Sequence, residues 1–178
     1  MLERSRIYLA QHNVSQAESV LALVEPRLHK TLPPGHYAFA AVSSERGLIA
    51  MEHRELPAAL QLMDESIATI QASVNAGKGG GYLLPGYYTF RSSMDLALSR
   101  ASQAEAETTK ALAALHAVDG FTDASSKLGG AYLAQARALA AQGKTVEART
   151  AASRALAHLQ GSLGPDHPDT ESARLLTE

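Results

Sequence analysis

The segment AYLAQARALAAQGKTVEARTAASRAL, running from Ala131 to Leu156, decides the fold. Small or apolar residues recur at Tyr132, Ala136 and Leu139, and again at Ala148, Ala152, Ala155 and Leu156. Intervals of three and four residues place each set on one face of a helix. Gly143 lies between the sets, so the segment reads as helix, turn, helix.

The same pattern recurs upstream. With Ala148 as an anchor, the matching positions are Ala17, Ala59 and Ala104, at spacings of 42, 45 and 44 residues. Four residues after the anchors stand Leu21, Met63, Thr108 and Ala152; seven after stand Val24, Ser66, Ala111 and Ala155; eight after stand Glu25, Ile67, Leu112 and Leu156. Twelve residues before them stand Ser5, Gly47, Ser92 and Ala136, all small, which lets the second helix of each pair pack close against the first. The phase continues into the linkers, where His36 and His167 each lie 19 residues after an anchor.

Four helical hairpins follow. First helices are expected at 1–11, 36–53, 86–100 and 124–142, and second helices at 14–30, 56–75, 102–118 and 145–160. Asp169-Thr170 can cap a short terminal helix. Pro57 falls in the first turn of its helix, where amides lack partners anyway. Pro26 is expected to kink its helix or end it early.

Composition narrows the function classes. The chain has 178 residues, 33 of them alanine, with no cysteine, no tryptophan and a net charge of -2. Without cysteine there is no disulfide framework and no thiolate metal site. Near-neutrality gives no bulk electrostatic case for nucleic acid. The longest apolar run, Tyr37 to Val42, is far short of the roughly 20 residues that span a bilayer. Met1 to Arg6 is charged with no apolar stretch behind it, so a cytoplasmic location and no membrane partner are expected.

The pattern resembles tetratricopeptide repeats. Tyr132, Ala136, Gly143, Ala148, Ala155 and Leu156 carry the resemblance, with weaker equivalents upstream. The period exceeds the usual 34, and with Leu163-Gly164-Pro165-Asp166-His167-Pro168-Asp169-Thr170 it looks like the longer variety of kinesin light chains and bacterial regulatory proteins. The third hairpin departs most, with Ser99 at the turn-glycine position and Asp95 where Leu139 stands. The resemblance implies an all-α, right-handed solenoid of four units, roughly 1–34, 36–78, 82–120 and 124–165, with a terminal helix at 169–178.

It also implies binding, not catalysis. First helices would line a concave face that takes a partner peptide or helix. The columns fifteen, eleven and eight before each anchor would face that groove, including Arg6, Leu48 and Arg137, then Leu9, Met51 and Leu96. Met51 and the leucines suit an adaptable apolar contact, or pack between helices. Thirteen before the anchors stand Arg4, Arg46, Arg91 and Gln135, a row fit for acidic or phosphorylated partners, or for pairing with nearby Glu3, Glu45 or Asp95. The expected groove set is thus Arg6, Arg46, Leu48, Met51, Arg91, Leu96 and Arg137.

Other motifs are bland. Asn75 to Gly81 lacks the frame of a phosphate loop and reads as a flexible connector. The apolar Tyr82-Leu83-Leu84-Pro85 should fold back onto the adjacent helix pair. No two of the seven histidines stand at i, i+4, and His36 and His167 read as turn and cap devices. No catalytic, metal or cofactor site is expected. Both ends fall out of repeat phase, so the chain is expected to be a segment of a larger bacterial regulatory protein, kinase- or transcription-regulator-associated. The rival readings are a small-peptide or ligand-sensing regulator and a self-association module with exposed ends.

Overall fold

A computed structural model describes residues 2–117 and 124–178. Among these residues all regular structure is helical: α1 (Leu2–Ala10), α2 (Val14–Thr31), α3 (Ala38–Glu52), α4 (Leu56–Asn75), α5 (Leu84–Ala97), α6 (Ala101–His116), α7 (Ser126–Ala140), α8 (Thr145–Leu163) and α9 (Pro168–Leu175), with a single 3-10 turn at Gly81–Leu83. The chain divides into two compact units, Met1–Tyr87 and Tyr88–Glu178. In the first, α1 packs on α2 and α3, and α3 packs on α4. In the second, α7 packs on α6, α8 and α9. The expected ends of the third hairpin at 118 and 120 fall inside the stretch that is not described, and the fourth first helix, expected from 124, begins at Ser126.

The repeat columns are core positions in both units. All four anchors are buried, and so are Leu21, Met63, Thr108 and Ala152 four residues on. The column twelve before, Ser5, Gly47, Ser92 and Ala136, is buried throughout. Gly47 displays the reason: a Cβ placed on it would sit 3.2 Å from the Ala59 carbonyl oxygen and 3.7 Å from the Met63 amide nitrogen. The backbones of α3 and α4 therefore meet at the small column against the anchor. Around these contacts lie Leu9, Leu21 and Ile49 in one unit, and Leu139, Ala151 and Ala152 in the other.

The hairpin turns are built alike. Five residues before the anchors, His12, Arg54, Ser99 and Gly143 all adopt positive φ, between 54° and 74°. The amide of the next residue reaches five residues back each time: Asn13 to Tyr8, Glu55 to Ala50, Arg100 to Asp95 and Lys144 to Leu139, at 2.8–3.0 Å. This closes each first helix with a left-handed cap that satisfies its last carbonyls. Ser99 thus adopts the turn that Gly143 adopts, so the third hairpin keeps its geometry despite its weak sequence match. Its buried Asp95 is held by Arg91 of the same helix, at 2.6 Å.

Pro26 does not end α2, which continues to Thr31. Pro26 and Ala22, whose carbonyl it leaves without an amide, are both exposed, so water can satisfy that group. The cap of α9 is His167, not Asp169-Thr170. Pro168 has no N–H, so the first free amide is that of Asp169, which donates to His167 Nδ1 at 3.2 Å. Ala38 donates to His36 Nδ1 in the same way at 3.1 Å, while Thr170 donates to the Gly164 carbonyl. The glycine-rich connector is an ordered turn: Gly77, Gly79 and Gly80 have positive φ, and Ser73 Oγ donates to the Gly79 carbonyl. Gly80 lies against the Tyr37 ring, and the following 3-10 turn packs on α4, although Tyr82 remains 62 % exposed.

A non-glycine residue in the left-handed region costs about 1 kcal/mol. Ser99→Gly is therefore expected to stabilise the protein by about 0.5–1 kcal/mol, and Gly143→Ala to destabilise it by about 1 kcal/mol. Urea unfolding measures both; a loss of stability in Ser99→Gly contradicts the turn assignment.

Candidate partner-binding face

The first helices α1 and α3 carry four of the residues singled out by the repeat phase: Arg6, Arg46, Leu48 and Met51. Arg6 and Leu48 occupy equivalent positions, yet their surroundings differ. Arg6 Nε donates to Glu45 Oε1 at 2.5 Å; its side chain is 40 % exposed, whereas Glu45 is fully buried. Leu48 is half-buried and packs on the cluster of Leu9, Ala17, Leu21 and Ile49. Met51, one turn on, is half-buried as well.

Arg46 faces elsewhere. Its guanidinium donates to Glu25 of α2 at 2.5 Å. The pair lies in an open groove of about 610 Å³ shared by α2, α3 and α4, together with the Glu18–His53 pair at 3.3 Å. This groove belongs to the second-helix side. Arg4, in the same sequence column, donates to the Tyr8 hydroxyl and lies over its ring.

In the second unit, Arg91 is 21 % exposed and bridges Asp95 at 2.6 Å to Glu107 of α6 at 3.4 Å; Lys110 also bonds Glu107. Leu96 is half-buried and Arg137 is exposed. Arg46 and Arg91 thus share a column but not a role: one ties α3 to the preceding second helix, the other ties α5 to the following one. Lys144 and Gln142 reach Glu105 of α6 from the last hairpin turn, at 2.7 and 2.8 Å, and hold its carboxyl below the usual range.

Of the acids offered by the sequence as arginine partners, Asp95 is held by Arg91 and Glu45 by Arg6, and Glu45 is the one whose burial has the greatest consequence. Burial pushes the Glu45 carboxyl above its ordinary value, and the charge and hydrogen bond of Arg6 oppose that shift. Ser5 lies beside this carboxyl, and Ser44 lies beside the buried Tyr87 hydroxyl. Tyr87 lies near Arg6 and Glu45, and its burial raises the phenol as well. The signal for Glu45 was an acid directly beside Arg46 in the sequence. Among the described residues, no group of three or more His, Cys, Asp or Glu is placed to hold a metal ion, and no helix is long and apolar enough to cross a membrane.

No protein-family model and no curated protein matches the chain. Among solved structures it is similar to a putative kinesin light chain of Podosopora anserina built of nearly identical TPR-like repeats, and to a single-residue variant of that protein. Each is 19% identical, covers 99% of this chain and 81% of its own, and superposes with a TM-score of 0.69. The fold is that of tetratricopeptide-like repeats. In TPR-like terms, α1, α3, α5 and α7 are the first helices of the repeats, and α2, α4, α6 and α8 the second.

Glu45 sets a pH dependence. Its folded pKa is raised, so the unfolded chain ionises first as pH rises above the carboxylate value of 4.5. Its contribution to stability then falls with rising pH until the folded carboxyl ionises too. Glu45→Gln is expected to match the wild type at low pH and to exceed it progressively above that point. Urea midpoints measured from pH 4 to 8 check this; a variant less stable than wild type at pH 7 contradicts it.

Proposed function

We propose that the protein is a non-catalytic scaffold that captures a peptide or helix of a protein partner on its first-helix face. The observation that carries this reading is the half-buried state of Leu48, Met51 and Leu96. Each is partly covered, Leu48 by the cluster of Leu9, Ala17, Leu21 and Ile49, yet keeps apolar surface available on a first helix. A methionine there adapts to varied side chains, and a rigid helical frame lets binding proceed with little ordering cost. The TPR-like fold supports the class, since stacked helical repeats in general offer extended binding surfaces.

The charge bias follows from the ion pairs. Arg6, Arg46 and Arg91 already hold acids of the protein, so within this set the exposed Arg137 is the cation offered to an acidic partner segment. We further propose, from the resemblance to bacterial regulatory repeats, that the scaffold serves the regulation of a larger protein.

A peptide library probed with wild type, Met51→Glu, Leu96→Glu and Arg137→Glu tests the reading. Peptides selected by the wild type are expected to lose about tenfold in affinity for Met51→Glu or Leu96→Glu, the loss expected when one good apolar anchor is removed. Arg137→Glu is expected to lower the share of acidic peptides selected. Unchanged affinity and preference in all three variants would refute this face as the binding surface.

A further inference from the structure

One repeat-equivalent place is filled in the second unit and open in the first. In the second unit Tyr132 of α7 inserts between the flanking second helices. Its hydroxyl lies 3.2 Å from His116 Nε2 of α6, and its ring stacks on His158 of α8, with centroids 5.9 Å apart and planes 7° apart. Arg154 covers the same ring at 5.6 Å. The tyrosine is buried and closes the site.

The repeat phase gives the counterparts in the first unit. His116 lies twelve residues after its anchor, as does His29; Tyr132 lies sixteen before its anchor, as does Ser43; His158 lies ten after, as does Thr69. Where the second unit holds a phenol, the first holds a serine. There the structure has a cavity of about 540 Å³, lined by His29, Leu32, Phe39, Val42, Ser43 and Thr69. Phe39 lies against the His29 ring, with centroids 4.8 Å apart, and forms an aromatic wall. His29 is exposed to the cavity mouth as His116 is in the other unit.

We propose that this cavity is a receptor for a tyrosine side chain presented by a protein partner. The chain itself supplies the template for the occupant: a phenol that bonds the equivalent histidine and fills the equivalent space. Phe39 offers an aromatic face in place of the His158 ring, and such ring pairs favour offset or edge contacts. Among the described lining residues no lysine or arginine is placed to pair a phosphate, and Glu25 is already bonded to Arg46 at 2.5 Å, so the receptor favours the unphosphorylated side chain. This site shares no residue with Leu48, Met51, Leu96 or Arg137, so it stands or falls apart from the first-helix groove.

The test is an NMR titration of the full chain with N-acetyl-L-tyrosinamide, alongside its phenylalanine and phosphotyrosine analogues. Concentration-dependent shifts are expected at Phe39, Ser43 and Thr69. The phenol should bind about fivefold more tightly than the phenyl analogue, as one extra hydrogen bond predicts, and the phosphorylated analogue most weakly. Ser43→Tyr should abolish these shifts and raise Tm by about 2–4 °C, the change expected when a cavity is filled in a chain of this size. His29→Leu, at an exposed position, should keep the fold and erase the preference for phenol over phenyl. No shift in the wild type, or equal shifts in Ser43→Tyr, overturns the proposal. So does concentration-dependent dimerisation that Tyr82→Ser removes, because the occupant is then another copy of this chain.

Discussion

Two helices joined by a short left-handed turn lie close along their length only where one of them carries almost no side chain. In this protein that place is fixed. The column of Ser5, Gly47, Ser92 and Ala136 faces the anchors and is buried in every hairpin. At Gly47 even a methyl group would come within 3.2 Å of the facing carbonyl. Interiors pack at crystal-like density, so such a contact tolerates little added volume. The large core residues, Leu21, Met63, Ile70 and Leu139, fill what remains around it. The surplus of alanine is the composition that this geometry demands, and the absence of tryptophan agrees with it.

The turn is the second half of the same constraint. His12, Arg54, Ser99 and Gly143 take one backbone conformation, although only glycine takes it without cost. Three unfavourable residues are held there because the cap bonds and the anchor contacts on either side determine the path of the chain. Function is then a matter of which side chains this uniform frame presents. The first helices present Leu48, Met51 and Leu96, and the second-helix side presents a tyrosine-filled site in one unit and an open one in the other.

The hairpins were legible in the sequence because the anchor and small columns are read in one phase, and phase survives substitutions that keep size. Helix limits were legible to within a few residues for the same reason. Pro26 does not end its helix, and propensity says nothing about whether the freed carbonyl faces water. The ion pairs were less legible. Arg46 meets Glu25 across 21 residues and Arg6 meets Glu45 across 39, and sequence spacing does not say which neighbouring helix a long side chain turns toward. The partial signal was Glu25 itself, an acid in a column that otherwise holds Ile67, Leu112 and Leu156. Metal spacing within single helices does not show that His29 and His116 share a repeat position, twelve residues after their anchors.

Urea unfolding of four single variants, Ser5→Leu, Gly47→Leu, Ser92→Leu and Ala136→Leu, with Ala68→Leu on the exposed face of α4 as the reference, tests the central constraint most directly. Each of the four is expected to lose about 1–3 kcal/mol or more, as overpacking at a closed contact does, while the reference changes by less than about 0.5 kcal/mol. Wild-type stability in all four variants would contradict the claim that close helix approach at this column holds the repeats together.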